Sequence, residues 1–126
     1  MPVPPEFGRV ESRRIEKPWG YELHWAITDS YVAKVLHVNR GEALSLQYHE
    51  RKDEHQYVLR GCIDVELGKD VENLTIHRMN PGDTLHIAPG TRHRLTAVED
   101  TDIVEVSTPE IDDVVRLEDR YGRVGK

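Results

Sequence analysis

Short runs of alternating apolar and polar residues, separated by turn residues, fill most of this chain and constrain its fold more than any other feature. The separators include Asn39-Arg40-Gly41, Asn80-Pro81-Gly82-Asp83 and Pro89-Gly90, which are typical of tight turns. No apolar stripe with the helical period precedes residue 109, so the pattern predicts an all-β antiparallel sandwich or barrel. The predicted strands are Tyr21–Ile27, Tyr31–Val38, Ala43–His49, His55–Leu59, Ile63–Leu67, Leu74–Met79, Thr84–Ile87, His93–Val98 and Ile103–Ser107.

The length of 126 residues fits one domain. Residues 1–14 are rich in proline and charge, and we predict that they form an arm. The predicted barrel covers residues 15–110, and a charged C-terminal tail covers residues 111–126. Within that tail, Asp112–Arg123 is expected to be a short helix or an extended segment on the barrel.

Composition and charge narrow the classes of function. The formal net charge of −6 argues against a nucleic-acid partner, whose binding surface would be basic. The apolar runs are too short to span a membrane, and the N-terminus does not resemble a signal peptide, so no membrane partner is expected. The lone Cys62 permits no internal disulfide, which favours the reducing cytoplasm, and we expect it to be a small buried hydrophobe.

Four side chains along the chain have the chemistry of a metal site. Gln47 and His49 are two residues apart on a predicted strand, so they share a face. Glu54 stands where the next strand begins, and His93 starts a later strand. Amide, imidazole and carboxylate donors that converge from a rigid scaffold suit a divalent cation. Spacing alone leaves the alternative open that these are surface residues or hydrogen-bonded core residues.

Two segments carry the spacing of a known pair of motifs. The first runs from Gly41 through Gln47-x-His49 and Glu54 to Gly61, and the second runs from Gly82 through Ala88-Pro89-Gly90-Thr91-Arg92-His93. They resemble the two motifs of the cupin superfamily, which implies a small jelly-roll barrel with a metal ion in its mouth. The chain departs from the motifs at Gln47, Ala88 and Ala97, where histidine, proline and asparagine are usual.

Further segments follow one another in a distinctive order from about Ile15 to Arg123. They are Lys17-Pro18-Trp19-Gly20-Tyr21-Glu22, Leu44-Ser45-Leu46-Gln47, Glu54-His55, Gly90-Thr91-Arg92-His93-Arg94-Leu95 and Asp112-Asp113-Val114-Val115-Arg116-Leu117-Glu118-Asp119-Arg120-Tyr121-Gly122-Arg123. Together they resemble the cupin-type (type II) mannose-6-phosphate isomerase domain. In many bacteria that domain follows a mannose-1-phosphate guanylyltransferase domain, for which this chain has no room.

The resemblance implies an enzyme that interconverts mannose 6-phosphate and fructose 6-phosphate for sugar-nucleotide and polysaccharide synthesis. It implies one divalent metal held by Gln47, His49, Glu54 and His93, with zinc expected first and manganese, nickel, cobalt or iron as alternatives. A homodimer is also implied. Lys52 replaces the family's arginine, and Gln56 replaces a tryptophan that would stack on a sugar ring.

Isomerisation needs a base to move a proton between neighbouring carbons, and His55, Lys52 and Arg94 are the candidates. Strand alternation opposes two of them, because His55 and Arg94 are each adjacent in sequence to a predicted metal ligand and should face away. Candidate substrate-binding residues are Lys34, Arg92, Trp19, Tyr121 and Arg123, and phosphate is assigned to Lys34, Lys52, Arg92 or Arg94.

Two other functions are compatible with the sequence. One is a non-catalytic cupin that binds a metal and a sugar or sugar phosphate. The other is a different metal cupin enzyme, such as an iron oxygenase, since two histidines and a carboxylate also suit non-haem iron. His37, His77 and His86 alternate with apolar neighbours and are interpreted as barrel-face residues without chemistry.

Overall fold

The computed structural model describes residues 7–110 and 112–125, and the secondary structure within them is all β. The strands are β1 (Arg13–Lys17), β2 (Gly20–Ile27), β3 (Val32–Val38), β4 (Leu46–His49), β5 (Glu54–Arg60), β6 (Ile63–Gly68), β7 (Thr75–Met79), β8 (Thr84–Ile87), β9 (Arg92–Ala97), β10 (Thr101–Ser107) and β11 (Val114–Glu118). Over the described residues, no helix is long and apolar enough to cross a membrane.

Two antiparallel sheets enclose the interior. One has six strands in the order β1-β2-β3-β10-β5-β8, and the other has five in the order β11-β4-β9-β6-β7. Strands far apart in sequence are neighbours, as where Ile103 of β10 lies opposite Leu36 of β3 on one side and Val58 of β5 on the other. This arrangement is the jelly roll that the sequence predicted.

The hydrophobic core lies between the sheets and occupies one end of the barrel. Its central residues come from both sheets and are at most 3 % exposed; they include Leu36, Val38, Val58, Ile63, Val65, Leu95, Ala97 and Ile103. Cys62 is buried and free, as predicted. Burial of these side chains supplies the main favourable free energy of folding.

The connection between β5 and β6 depends on one glycine. Gly61 has a φ of 95°, a conformation that side chains disfavour. A Cβ at this position would lie 2.3 Å from the carbonyl oxygen of Asp100, so only glycine lets the two backbones approach. This close approach brings β6 of one sheet beside the start of β10 of the other.

All nine predicted strands are confirmed, and two further strands were not predicted. Strand β1 begins at Arg13, inside the predicted arm, and pairs with β2. Strand β11 pairs with β4, so of the two forms expected for the tail the structure has the extended one. Residues 1–6 of the arm, and residues 111 and 126 of the tail, lie outside the described residues.

Candidate metal centre and polar cavity

A polar cavity of about 840 Å³ adjoins the apolar core, and three core residues, Trp19, Leu36 and Leu95, also line it. Its wall on the six-stranded sheet is a row of three side chains on adjacent strands, in which Lys34 lies opposite Glu105 and Glu105 lies opposite Gln56. Residues directly opposite each other on neighbouring strands share a face, so the whole row points inward. All three are at least 90 % buried.

Three of the predicted metal ligands converge on the cavity wall. His49 ends β4, Glu54 begins β5 and His93 lies near the start of β9. Their candidate ligand atoms lie within 4.8 Å of one another, and all three side chains are buried. The Nε2 atoms of His49 and His93 are each 3.5 Å from Oε1 of Glu54.

The protonation states of this cluster suit a cation. Burial raises the pKa of Glu54, but contact with His49 and the charge of Lys52 outweigh it and hold the pKa below its usual range. Burial lowers the pKa of His93 and favours the neutral imidazole. Metal ligation requires ionised carboxylates and neutral imidazoles, which is the combination these shifts favour.

Hydrogen bonding also fits a metal ion here. His93 Nδ1 lies 2.9 Å from the carbonyl oxygen of Thr91, so Nδ1 carries the hydrogen and Nε2 keeps its lone pair toward Glu54. Among the residues that the structure describes, Nδ1 of His49 is buried without a hydrogen-bond partner, and Oε2 of Glu54 is contacted by the Lys52 ammonium, at 3.3 Å. A buried polar atom without a partner costs free energy, and such atoms are expected where a bound ion completes the site.

Gln47 lies directly beside this cluster. It is opposite His93 in the β4–β9 pairing, so the two side chains share the inner face, and Gln47 also lines the cavity. Its amide oxygen is a donor that divalent cations accept. The structure therefore brings all four predicted metal ligands to one place.

Lys52 belongs to the same cavity. Its Nζ is 3.3 Å from Oε2 of Glu54 and 3.5 Å from Oε2 of Glu105. Burial lowers the pKa of Lys52, but the two carboxylates outweigh it and raise the pKa. Burial and the neighbouring Glu54 raise the pKa of Glu105 to about 8, while Gln56 Nε2 donates to its Oε1 at 3.0 Å.

The other two candidate bases lie outside the cavity. His55 is exposed on the outer face, where its ring stacks on that of His86 at 4.4 Å. Arg94 points away from His93 and forms ion pairs with Glu66 at 2.6 Å and Glu118 at 3.2 Å. Both placements follow from strand alternation, since each residue is next to an inward-facing ligand. Neither is in place to act on a molecule in the cavity.

The candidate substrate-binding residues divide in the same way. Lys34 and Trp19 line the cavity, although Trp19 also packs in the core and Lys34 Nζ is 3.4 Å from Glu22. Arg92 lies elsewhere, with its guanidinium 3.9 Å from the centre of the Tyr48 ring and a bond to the carbonyl oxygen of Gly90.

The two candidates from the tail differ as well. Arg123 lines the cavity, and its guanidinium is paired with Asp119 at 2.9 and 3.0 Å. Tyr121 packs against the core, and its hydroxyl donates to the carboxylate of Glu42.

Sequence reasoning missed three residues of the cavity. Glu105 stands between two valines, which reads as an outward polar position, but here the valines face out and Glu105 faces in. No sequence motif marks His24, whose Nε2 lies 2.8 Å from Glu22 inside the cavity. Arg116 sits in a charged tail whose pairing with β4 the sequence did not reveal. The pairing of β11 with β4 places Arg116 opposite Gln47, and knowledge of that pairing would have been enough to predict that Arg116 faces inward.

The fold and parts of the sequence are shared with known proteins. The chain is 35 % identical over 117 residues to a mannose-1-phosphate guanylyltransferase of Escherichia coli K12, which covers 89 % of this chain and 23 % of that protein. The structure of KdgF from Halomonas sp. has a TM-score of 0.68 and 26 % identity, covering 82 % of this chain and 91 % of that one. Oxalate decarboxylase from Bacillus subtilis has a TM-score of 0.72 at 20 % identity, covering 91 % and 35 %.

These likenesses differ in what they show. The decarboxylase likeness supports the cupin jelly roll alone, because its identity is low. The chain spans about a quarter of the length of the curated relatives it matches. The sequence model described as "Mannose-6-phosphate isomerase C-terminal" matches residues 9–119, which include every strand and all four residues gathered at the candidate metal centre. The chain therefore belongs to the mannose-6-phosphate isomerase C-terminal family.

Proposed function

We propose that this chain is a metal-dependent aldose–ketose isomerase that interconverts mannose 6-phosphate and fructose 6-phosphate, in the synthesis of sugar-nucleotide and polysaccharide precursors. The observation that supports this most is the convergence of His49, Glu54 and His93 in a polar cavity large enough for a small molecule. Membership of the isomerase family supports the choice of reaction and substrate.

The donor set fits a divalent cation held by His49, Glu54, His93 and Gln47. Such an ion would stabilise the negative charge that develops on the sugar oxygens while a proton moves between C1 and C2. Two imidazoles, a carboxylate and an amide suit zinc, and they accept the other first-row divalent metals. Zinc is therefore the first metal to test.

We assign proton transfer to the pair of Lys52 and Glu105. They are buried side by side in the cavity, 3.5 Å apart at Nζ and Oε2. Burial raises the pKa of Glu105 to about 8, near the pH at which the enzyme would work, as efficient acid–base catalysis requires. Of the three bases that the sequence suggested, Lys52 is the one that lines the cavity.

The apolar wall of the cavity would exclude water from the reacting atoms. Trp19, Leu36 and Leu95 line it, and each is at most 3 % exposed. A dry surrounding strengthens the interactions of the buried charges with the sugar and prevents loss of the migrating proton.

A coupled assay of the metal-loaded chain tests the proposal. Mannose 6-phosphate should be converted to fructose 6-phosphate, and the variant Glu54→Gln should lose this activity together with its bound metal. Arg78→Gln, on the solvent-exposed β7, is the matched control and should behave as the parent chain. Saturable binding of mannose 6-phosphate without turnover would contradict the isomerase and support a non-catalytic sugar-phosphate-binding cupin.

One observation favours a second enzymatic candidate. Two histidines and one glutamate form the cluster, a donor set that non-haem iron also uses. Oxygen uptake by the iron-loaded chain in the presence of a sugar, with no isomerisation by the zinc form, would support an oxygenase in place of the isomerase.

We also propose a homodimer, as the family resemblance implies. The outer face of the six-stranded sheet carries a row of apolar side chains on four adjacent strands, namely Leu23, Val35, Val104 and Tyr57. Such a row suits contact with a second copy of the chain. Light scattering of the purified chain should give twice the chain mass of 14.5 kDa, and a monomer would contradict this proposal.

A further inference from the structure

Arg116 lies on the inner face of the five-stranded sheet. In the pairing of β11 with β4 it is opposite Gln47, and in the pairing of β4 with β9 Gln47 is opposite His93. The three side chains therefore share one face, and all three line the cavity. Two strand spacings separate the backbone of Arg116 from that of His93, which is about 10 Å.

The guanidinium of Arg116 forms no ion pair within the described part of the chain, and Asp119 and Glu22 attract it only from beyond 4.0 Å. No carboxylate there lies within 4.0 Å of it, and its side chain makes no hydrogen bond to residues 7–110 or 112–125. Three other buried or half-buried cations of the cavity are paired within 4.0 Å, namely Lys34 with Glu22, Lys52 with Glu54 and Glu105, and Arg123 with Asp119. The half-buried Lys17 also lines the cavity and forms no ion pair within that distance among the described residues.

The surroundings of Arg116 favour an anion. Burial and the positive charge of Arg123 lower the pKa of Arg116 and outweigh the attraction of Asp119 and Glu22, although a guanidinium stays protonated at any ordinary pH. A partly buried cation beside another cation is unfavourable until a negative group neutralises it. The fork of an arginine matches two oxygens of a phosphate, which makes a phosphate ester the best-fitting anion.

We propose that Arg116 binds the phosphate group of the sugar phosphate and so orients its carbonyl end toward His49, Glu54 and His93. The inference deepens the proposed function, on which the identity of the ligand rests. In a hexose 6-phosphate the phosphate and the reacting carbons are at opposite ends of the chain, and Arg116 lies two strands away from His93 on the same inner face. The residues to which the sequence assigned the phosphate are either paired inside the cavity or placed outside it.

Calorimetric titration tests the role of Arg116. Mannose 6-phosphate and, separately, inorganic phosphate are titrated into the parent chain, Arg116→Gln, Arg116→Lys and the control Arg78→Gln. We expect Arg116→Gln to weaken the binding of mannose 6-phosphate about 10- to 100-fold, because a charge-assisted contact with the phosphate is lost. Arg116→Lys should recover part of the affinity, since it keeps the charge without the fork. Arg78→Gln should match the parent chain.

Thermal unfolding of the same proteins separates binding from folding. Because the Arg116 side chain forms no ion pair or hydrogen bond in the described chain and its surroundings disfavour its charge, Arg116→Gln should unfold at or above the temperature of the parent chain without ligand. A lower unfolding temperature together with lost binding would overturn the inference, since it would show that Arg116 supports the fold. Added inorganic phosphate should raise the unfolding temperature of the parent chain and should not raise that of Arg116→Gln.

The inference and the proposed function fail in different ways. Binding that depends on Arg116 without any isomerisation would support the phosphate site and contradict the isomerase. Isomerisation by Arg116→Gln with the KM of the parent chain would support the isomerase and overturn the phosphate site. Failure of the parent chain to bind either mannose 6-phosphate or inorganic phosphate would also overturn the phosphate site.

Discussion

The two ends of the barrel interior are built from the same strands and are equally buried, yet one end is apolar and the other is charged. On four strands a step of two residues along the inner face changes the chemistry, in the pairs Leu36 and Lys34, Val58 and Gln56, Leu95 and His93, and Ile103 and Glu105. Ile103 is 1 % exposed and Glu105 is 5 % exposed, so burial does not distinguish them.

This difference separates the source of stability from the site of chemistry. The apolar end gains free energy from removing hydrocarbon from water. At the polar end, desolvation of the charged groups costs free energy, and ion pairs such as Lys52 with Glu54, or a bound ligand, offset that cost. Substitutions at the two ends should therefore affect different measurements.

The largest expected effect is the loss of metal from the polar end. His93→Ala removes a ligand atom from the cluster and should weaken zinc binding at least about 100-fold, since loss of an outer-shell partner alone costs 10- to 100-fold. Competition with a chromophoric chelator measures the affinity. Zinc binding by His93→Ala that equals the parent chain would place the metal elsewhere.

Leu95 lies two residues after His93 on β9, and Leu95→Ala should reduce stability and leave zinc binding nearly unchanged. Leu95 is 1 % exposed in the core, and its truncation should lower the free energy of unfolding by about 2 to 5 kcal/mol. Zinc affinity should stay within a few-fold of the parent value. Denaturant unfolding and the chelator assay check both quantities, and equal damage to both would remove the distinction between the two ends.

Glu105→Gln should change catalysis more than stability. The pKa of Glu105, raised to about 8 by burial and by Glu54, favours the neutral carboxyl at neutral pH, so an amide of similar shape should alter the free energy of unfolding by only about 1 kcal/mol. The kcat should fall about 100-fold if Glu105 shares the migrating proton. An unchanged kcat would remove Glu105 from the mechanism.

The smallest expected effect concerns Asp102, whose carboxyl lies on the outer face of β10, the strand that also carries Glu105. Burial raises the pKa of Asp102, but hydrogen bonds from His37 and Arg60 outweigh it and lower the pKa. Its stabilising contribution, on the order of 1 kcal/mol, is present above the unfolded pKa of about 4 and is lost as the pH falls through the lower folded value.

Unfolding measured from pH 6 to pH 2.5 checks this prediction. Asp102→Asn should lose less stability on acidification than the parent chain over that range. Identical pH profiles would show that the contacts of Asp102 with His37 and Arg60 add nothing to stability.

The strands found from the sequence are those whose alternation is strong, and the two missed strands lie at sheet edges. Strand β1 has Ile15 as its one apolar residue, and it borders a single neighbour. Charged edge strands are common because they discourage pairing with other chains, and this weakens the alternating signal. Their existence follows from the pairing partners β2 and β4, which no local pattern reveals.

The candidate site could be predicted in part for a related reason. His49, Glu54 and His93 occupy positions that motif spacing marks, and the structure gathers them. Glu105 and Arg116 were missed because an inward charge between apolar neighbours has the same local pattern as an outward charge. Only the strand register distinguishes the two orientations.

A crystal structure of the zinc-loaded chain, with anomalous scattering recorded at the zinc edge, tests the central claim most directly. We predict one strong peak per chain within coordination distance of the Nε2 atoms of His49 and His93 and of the Glu54 carboxylate. A zinc-saturated crystal with no peak at these atoms, or with its peak elsewhere, would contradict the account.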